Sequence, residues 1–326
     1  MQETLQKVCD EFDLGFLESF EQIEEGVLNL NYKIETEKGK FFIKTVRGKK
    51  QDSIETVYQT ENYVKSFDIP VVSMLLTKDS NYFVKLEDKS FCAYDFIESD
   101  RCHEYSEQDY SRMGEMLARI HLASKEKLPS FEVRSIKNPS QKEVLLALET
   151  FKQKIEFKKN FDEIDQKFLD SINLKIQTLK PLGENNNIYS HKEHLLHGDY
   201  QTGNLLISKD DREIVGICDW EKSELGSRAY EIARSLLFIV DFRNEKNFKD
   251  IKYFINGYNS KYSISEQELI EGFEYRLNRM VKSKWIETMY YENNDPRANH
   301  FIDYEKFLVE FSTTDWKGKI KKYIIS

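Results

Sequence analysis

The sequence predicts an α+β chain of two lobes, with a small antiparallel sheet first and a larger, mainly helical part after it. Three observations predict this. Residues before about 98 carry short extended runs between polar turns, residues from 106 onward carry apolar positions at helical spacing, and 326 residues exceed one ordinary domain. The boundary is expected near Glu98 to Arg101, giving lobes over 1–98 and 99–326.

Each element follows in order. Leu30 to Thr36 alternates, Glu37-Lys38-Gly39-Lys40 supplies a turn, and Phe41 to Val46 resumes an extended run, the pattern of an antiparallel hairpin. Ser53 to Ser66 puts Ile54, Val57, Tyr58 and Val64 at helical spacing. After Pro70, the runs Val71 to Leu76, Tyr82 to Leu86 and Phe91 to Phe96 are short strands between turn residues. Ser106 offers a capping hydroxyl ahead of Glu107 and Asp109, and Tyr110, Met113, Leu117 and Ile120 mark the buried face of the helix it starts. The charged stretch 141–180 repeats Val144, Leu145, Leu148 and Phe151 helically, and nearly everything beyond Glu231 is helix-like and aromatic.

Composition excludes several classes. Lys+Arg 48 against Asp+Glu 57 gives a net charge of −9, which argues against a nucleic-acid partner. No run of about 18 apolar residues is present, so no membrane partner is expected. The first residues are polar and charged, with no leader-like apolar run behind them, and a cytoplasmic location is expected. Cys9, Cys92, Cys102 and Cys218 are scattered, which suits reduced thiols and gives no support to a zinc site.

The chemistry is concentrated in His197-Gly198-Asp199-Tyr200-Gln201-Thr202-Gly203-Asn204, followed by the apolar strand Leu205-Leu206-Ile207. After a turn over Ser208 to Arg212, a second strand, Ile214 to Ile217, delivers Asp219-Trp220-Glu221. Two strands flanked by Asp199 and Asp219 bring both acids to one mouth. Phosphoryl transfer needs such a set: one carboxylate beside the acceptor hydroxyl, and a second with an amide oxygen to hold Mg²⁺ against nucleotide phosphates. A lone Asp in such a string usually makes a turn. Here a second acid follows across a strand, in the Asp-x4-Asn…Asp order that protein kinases use.

His-Gly-Asp-x4-Asn followed by Ile-x-Asp-Trp-Glu resembles the aminoglycoside phosphotransferase and choline kinase superfamily, in order over nearly the whole chain. The resemblance implies a protein-kinase-like two-lobe fold and an ATP- or GTP-dependent kinase acting on a small molecule. It implies Asp199 as catalytic base, Asn204 and Asp219 as Mg²⁺ ligands, Glu221 as a further metal or water contact, and His197 as a brace for the loop. Glu231 stands where many relatives carry a structural Asp.

On the nucleotide side, Glu25 to Tyr32 has a single Gly and fits neither a Walker A loop nor a Gly-rich kinase loop. It resembles the family's Asn-x-x-Tyr loop, which implies Asn29 and Asn31 as phosphate contacts. Lys44 ends the run Phe41-Phe42-Ile43, where a kinase fold supplies the ammonium for the α/β-phosphates and pairs it with a helical Glu. Glu55 and Glu61 compete for that pairing. Glu61 lies on the apolar stripe, where a carboxylate is costly unless paired, so Glu61 is favoured. Phe91 to Glu98, with Tyr94 and Phe96, is expected to be the interlobe hinge whose backbone meets the purine.

His191 and His194 read as exposed turn residues, His121 as a packing residue, and Ser227-Arg228 as a loop. The acceptor region, about Glu231 to Tyr291, mixes Glu271, Glu274, Tyr275, Trp285, Glu287, Tyr290 and Tyr291, with Glu292 just beyond. That mixture suits either a cationic acceptor held by charge and cation–π contact, or ordinary helix surface and core. Two other readings compete with the small-molecule kinase. A protein kinase lacks support because the Gly-rich loop and a long activation segment are missing. A non-catalytic, spore-coat-like protein of the same fold is opposed by the retention of Lys44, Asp199, Asn204 and Asp219.

Overall fold

The computed structural model describes residues 1–23, 30–46, 51–99, 104–135, 139–181 and 194–324, the side chains of 51, 52 and 324 excepted. The chain divides into two compact units. One comprises Met1–Arg134, His194–Leu225 and Gly257–Tyr262; the other comprises Ser135–Glu193, Gly226–Asn256 and Ser263–Ser326. These units are drawn on different lines from lobes over 1–98 and 99–326, because the motif segment and the helix after the sheet fold with the sheet.

The first unit runs α1 (Gln2–Glu11), β1 (Leu17–Ile23), β2 (Asn31–Thr36), β3 (Gly39–Val46), α2 (Gln51–Lys65), β4 (Val84–Leu86), β5 (Lys89–Asp95) and α3 (Glu107–Glu126). To these the later segment adds β6 (His194–Leu196), β7 (Leu205–Ile207), β8 (Ile214–Ile217) and β9 (Glu224–Gly226). Five strands form one antiparallel sheet in the order β1-β2-β3-β5-β4, with β6-β9 and β7-β8 as two small sheets. The expected hairpin is β2–β3, registered from Asn31 opposite Lys44 to Thr36 opposite Gly39.

Two elements escape the sequence pattern. Strand β1 lies at the sheet edge and buries only Leu17, so it has no alternating signature, and α1 buries just Leu5, Val8 and Cys9. Those residues pack with Tyr32, Ile34, Ile43, Phe91 and Ala93 into the core of this unit. The expected strand over 71–76 is reduced to isolated bridges, Val71 to Ile217 and Met74 to Tyr94. Helix α3 starts as read: Ser106 and Asp109 form a reciprocal capping box, and Met113, Leu117 and Ile120 are buried.

The second unit is helical: α4 (Gln141–Glu156), α5 (Glu163–Leu179), α6 (Arg228–Ile239), α7 (Lys249–Lys261, its end in the first unit), α8 (Glu266–Val281), the single turn α9 (Trp285–Glu287), α10 (Asn299–Ser312) and α11 (Trp316–Ile324). Its core joins Val144, Leu148, Phe151, Phe168, Ile172 and Ile176 to Val281, Ile302 and Val309. No helix among the described residues is long and apolar enough to cross a membrane.

Candidate active site

The β7–β8 hairpin builds the site. Leu205 faces Ile217 across it, and Cys218 donates its N–H to the Asn204 carbonyl at 3.0 Å, so Asn204 and Asp219 flank the same end of the ladder. The hairpin is tied to the chain before it by Ile217 N–H to the Pro70 carbonyl (2.8 Å) and Val72 N–H to the Ile217 carbonyl (3.0 Å). Asn204 donates Nδ2–H to the Asp199 carbonyl at 2.8 Å, which leaves Oδ1 as the open end of its amide.

His197 fixes the loop, as expected of it. Its Nδ1 accepts the Asp199 N–H at 3.1 Å, so its proton sits on Nε2, which donates to the Cys218 carbonyl at 3.0 Å. The Trp220 ring lies 4.4 Å from the imidazole, and Tyr200 anchors the loop to α3 through the Met113 carbonyl at 2.8 Å. Gly198 has φ +78°, and a Cβ there would fall 1.9 Å from the Lys222 carbonyl oxygen, so only glycine lets the loop turn this close. Asp219 also takes a left-handed conformation, φ 65°, a strained choice for a residue with a side chain that recurs where geometry serves a site.

Lys44 reaches across to this loop. Its Nζ lies 2.8 Å from Asp219 Oδ1 and 3.0 Å from Glu221 Oε1. Burial alone would push the Asp219 carboxyl up, but the Lys44 ammonium outweighs it and holds Asp219 below the usual carboxylate range. Burial likewise opposes the charge on Lys44, and the two carboxylates reverse that and raise its pKa. Both charges persist because each neutralises the other.

The expected Lys44–Glu61 ion pair is not the one formed. Glu61 is 1% exposed on α2 and accepts the Met74 N–H at 2.8 Å, while Lys44 gives its hydrogen bonds to Asp219 and Glu221. With the ammonium committed elsewhere, burial pushes the Glu61 carboxyl up to about 8, although Lys44 still pulls it down at longer range. Glu55 is part-buried and hydrogen-bonded by Gln59 at 3.4 Å.

Other expected residues are placed unevenly. Asn29 lies outside the described residues. Asn31 opens β2 opposite Lys44, with its Oδ1 buried and no hydrogen-bond partner there. Tyr94 is a buried rung of β5 facing Phe42. The Phe96 N–H is donated to the Lys40 carbonyl at 3.1 Å, so that donor is engaged within the sheet. His191 lies outside the described residues. His194 is no exposed turn residue: it is buried in β6 and hydrogen-bonded to the Tyr262 hydroxyl at 3.2 Å, because its strand pairs into the interior. His121 packs as expected, bonded to Tyr258 at 2.9 Å. Ser227 and Arg228 start α6 rather than a loop, with Arg228 forked onto Glu268 at 2.8 and 2.9 Å.

Of the acids and aromatics that suited either a cationic acceptor or ordinary helix surface and core, several are engaged within the second unit, while Trp285 is 45% exposed. Glu287 is sealed against Lys175 at 2.8 Å, Glu274 pairs with Lys317 at 2.9 Å, and Tyr290 and Tyr291 pack on Phe168. Tyr275 lies under the Arg279 guanidinium, 5.9 Å away. A cation cage needs open acids and open ring faces, which Glu287, Tyr290 and Tyr291 do not offer.

Sequence reasoning missed Lys222. Its Nζ lies 2.8 Å from Asp199 Oδ2, and Gln201 Nε2 donates to the same oxygen at 3.4 Å. A lysine next to Glu221 carries no signal of its own in the sequence; it matters because the short helical turn Trp220–Lys222 swings it back to the loop.

Similarity agrees with this geometry. The model of the APH phosphotransferase enzyme family matches residues 19–263. A stretch of 114 residues is 29% identical to the homoserine kinase of Hyphomonas neptunium, and the match spans 34% of this chain and 34% of that one. Spectinomycin phosphotransferase, solved with ADP and spectinomycin, superposes with a TM-score of 0.67 at 16% identity, over 97% of this chain and 99% of that one. Amicoumacin kinase with AMP-PNP gives 0.65 at 16% identity, over 96% and 93%. Choline kinase from Cryptosporidium parvum gives 0.59 at 12% identity, over 99% of each chain. At such identities the superpositions speak for the fold, which is the protein-kinase-like one expected. With the family model matched over residues 19–263, most of the chain, this protein belongs to the APH phosphotransferase enzyme family.

Proposed function

We propose that this protein moves the γ-phosphoryl group of ATP or GTP to a hydroxyl of a small molecule such as an aminoglycoside, an amino alcohol or a sugar. The observation that carries this reading is the gathering of Asp199, Asn204, Asp219 and Lys44 around one hairpin. Relatives named for homoserine, aminopropanol and spectinomycin support an alcohol as acceptor.

The donors fit a magnesium ion. Among the described residues no three His, Cys, Asp or Glu side chains gather into a protein-only cage. Mg²⁺ does not need one: it takes one or two protein oxygens and completes its shell with phosphate and water. Asp219, kept ionised by Lys44, and the open Oδ1 of Asn204 are the hard oxygens that would hold it, with Glu221 as a further contact. Bound there, the ion supplies charge neutralisation to the transferring group. Asp199 orients the acceptor hydroxyl and takes its proton on a carboxylate oxygen. Lys44 exchanges carboxylate partners for phosphate oxygens when nucleotide binds. Asn31 opens the strand that would border those phosphates, Asn29 is retained as a proposed contact on the resemblance alone, and the β5 end at Tyr94 would border the base.

The test measures nucleotide binding by thermal shift with Mg-ATP and Mg-GTP. ADP or GDP release is then followed over a panel of hydroxylated amines, hydroxy amino acids, sugars and aminoglycosides. Turnover of one acceptor, abolished in Asp199→Asn, supports the reading. Tight nucleotide binding with no acceptor turned over favours a non-catalytic, kinase-fold binding protein instead.

A further inference from the structure

Lys44 has two carboxylate partners, and both come from one short stretch of chain. Its Nζ lies 2.8 Å from Asp219 Oδ1 and 3.0 Å from Glu221 Oε1. Asp219 precedes the helical turn Trp220–Lys222 and Glu221 stands in its middle. That turn is pinned. The buried Trp220 indole donates Nε1–H to the Ile217 carbonyl at 3.2 Å and packs on His197, and the Ser223 hydroxyl donates to the Trp220 carbonyl at 2.8 Å. Glu221 lines an apolar cleft with Val46, Ile54, Val57, Met74 and Cys92, so it borders β3, α2 and β5 at once. A carboxylate beside such walls is costly unless paired, and Lys44 supplies the pairing.

In kinases with this order of motifs the strand lysine ordinarily draws its partner from the helix that follows. Here that helix offers Glu61, which is 1% exposed and turned to the Met74 N–H at 2.8 Å. The two partners that Lys44 does have are unequal. Asp219 is one of the hard oxygens proposed to take magnesium, and what it gives the ion it withdraws from the ammonium. The Lys44 side chain is only 13% exposed, so with no carboxylate left it becomes a nearly buried charge without a counter-ion. Glu221 is the partner that can stay. An ammonium has three donors, enough to keep one carboxylate while it meets phosphate oxygens.

We propose that Glu221, in place of Glu61, is the positioning residue that holds Lys44 for the nucleotide phosphates. This rests on the phosphoryl-transfer reading above and narrows it: of the two carboxylates, Asp219 passes to the ion and Glu221 stays with the lysine. Its Oε1 belongs to Lys44, which leaves at most Oε2 for the further metal contact. The lysine and the ion are then set in register by the single run Asp219-Trp220-Glu221, and α2 supplies no part of the pairing.

The test is a double-mutant cycle on nucleotide binding, which needs no acceptor. Calorimetry with Mg-ATP and Mg-GTP compares wild type, Glu61→Gln, Glu221→Gln, Lys44→Met and the double variant Lys44→Met/Glu221→Gln. Glu221→Gln is expected to weaken binding roughly tenfold, and Glu61→Gln to bind as wild type does. Once Lys44 is replaced, Glu221→Gln should add no further loss. The Mg²⁺ concentration that half-saturates nucleotide binding should be unchanged in Glu221→Gln, which separates a grip on the lysine from a bond to the ion. Glu221→Asp, one methylene shorter, should show a smaller loss and serves if Glu221→Gln fails to fold. Additive losses, a raised Mg²⁺ requirement in Glu221→Gln, or an equal loss in Glu61→Gln overturns the proposal and leaves the phosphoryl-transfer reading standing, because wild type still binds nucleotide. A wild-type protein that binds neither nucleotide overturns both.

Discussion

Lys222 grips the loop around Asp199 at two points: its Nζ lies 2.8 Å from Asp199 Oδ2, and its carbonyl oxygen occupies the space that a side chain at Gly198 would need. The first contact orients the proposed base and the second fixes the backbone that carries it. Lys222 is 48% exposed, so as a surface pair it is worth less than about 1 kcal/mol to stability. Lys222→Met should therefore leave the melting temperature nearly unchanged while kcat falls about tenfold, the cost of a misplaced reacting group. Lys222→Arg should restore part of the rate, and KM for nucleotide should not move. An unchanged kcat in Lys222→Met would reduce the pair to a surface ornament.

Gly198→Ala tests the backbone half of the same arrangement. The positive φ and the 1.9 Å approach to Lys222 act together, so something must shift. A destabilisation of about 2–4 kcal/mol is expected from overpacking plus left-handed strain. Urea unfolding measures it. A stable, fully active alanine variant would mean that the loop can turn another way.

Asp199→Asn and Asp219→Asn should separate the two acids. Asparagine at 199 still accepts hydrogen bonds but takes no proton, so kcat should drop by about 10²–10⁴-fold with nucleotide affinity kept. Asparagine at 219 removes the charge facing Lys44, and should weaken Mg-nucleotide binding first. Titration calorimetry with steady-state kinetics distinguishes them. Equal loss of both functions in both variants would refute the division of roles.

Glu61 should make stability depend on pH. Its carboxyl titrates at about 8 when folded, against 4.5 as the ordinary value. Between those values the folded chain binds more protons than the unfolded chain, so stability falls as pH rises, by up to about 1.4 kcal/mol per pH unit. Glu61→Gln keeps an acceptor for the Met74 N–H and has nothing to titrate. Unfolding midpoints without nucleotide should coincide for the two proteins near pH 5 and favour the variant near pH 8. Parallel pH curves would show that Glu61 is ionised in the folded state after all.

How much of this is legible in the residues alone divides by range. The β2–β3 hairpin, α2, α3 with its Ser106 cap and the two strands around the Ser208–Arg212 turn follow from alternation, helical spacing and capping, and each is present. Strand β1 is invisible to such patterns because an edge strand that buries one residue has no period to detect. His194 is misread because a polar side chain in a three-residue strand gives no sign of burial.

By itself the sequence determined the fold class and the family, and it nominated the residues proposed to carry the chemistry, since Asp199, Asn204 and Asp219 sit at spacings that one loop and one hairpin bring together. Tertiary structure alone decided which partners the charges take. Lys44 meets Asp219 from 175 positions away, Lys222 turns back onto Asp199, and Glu61 is left buried on the Met74 N–H. The reason is physical: an ion pair depends on where side chains end in space and on the burial around them, and neither is written in the local order of residues.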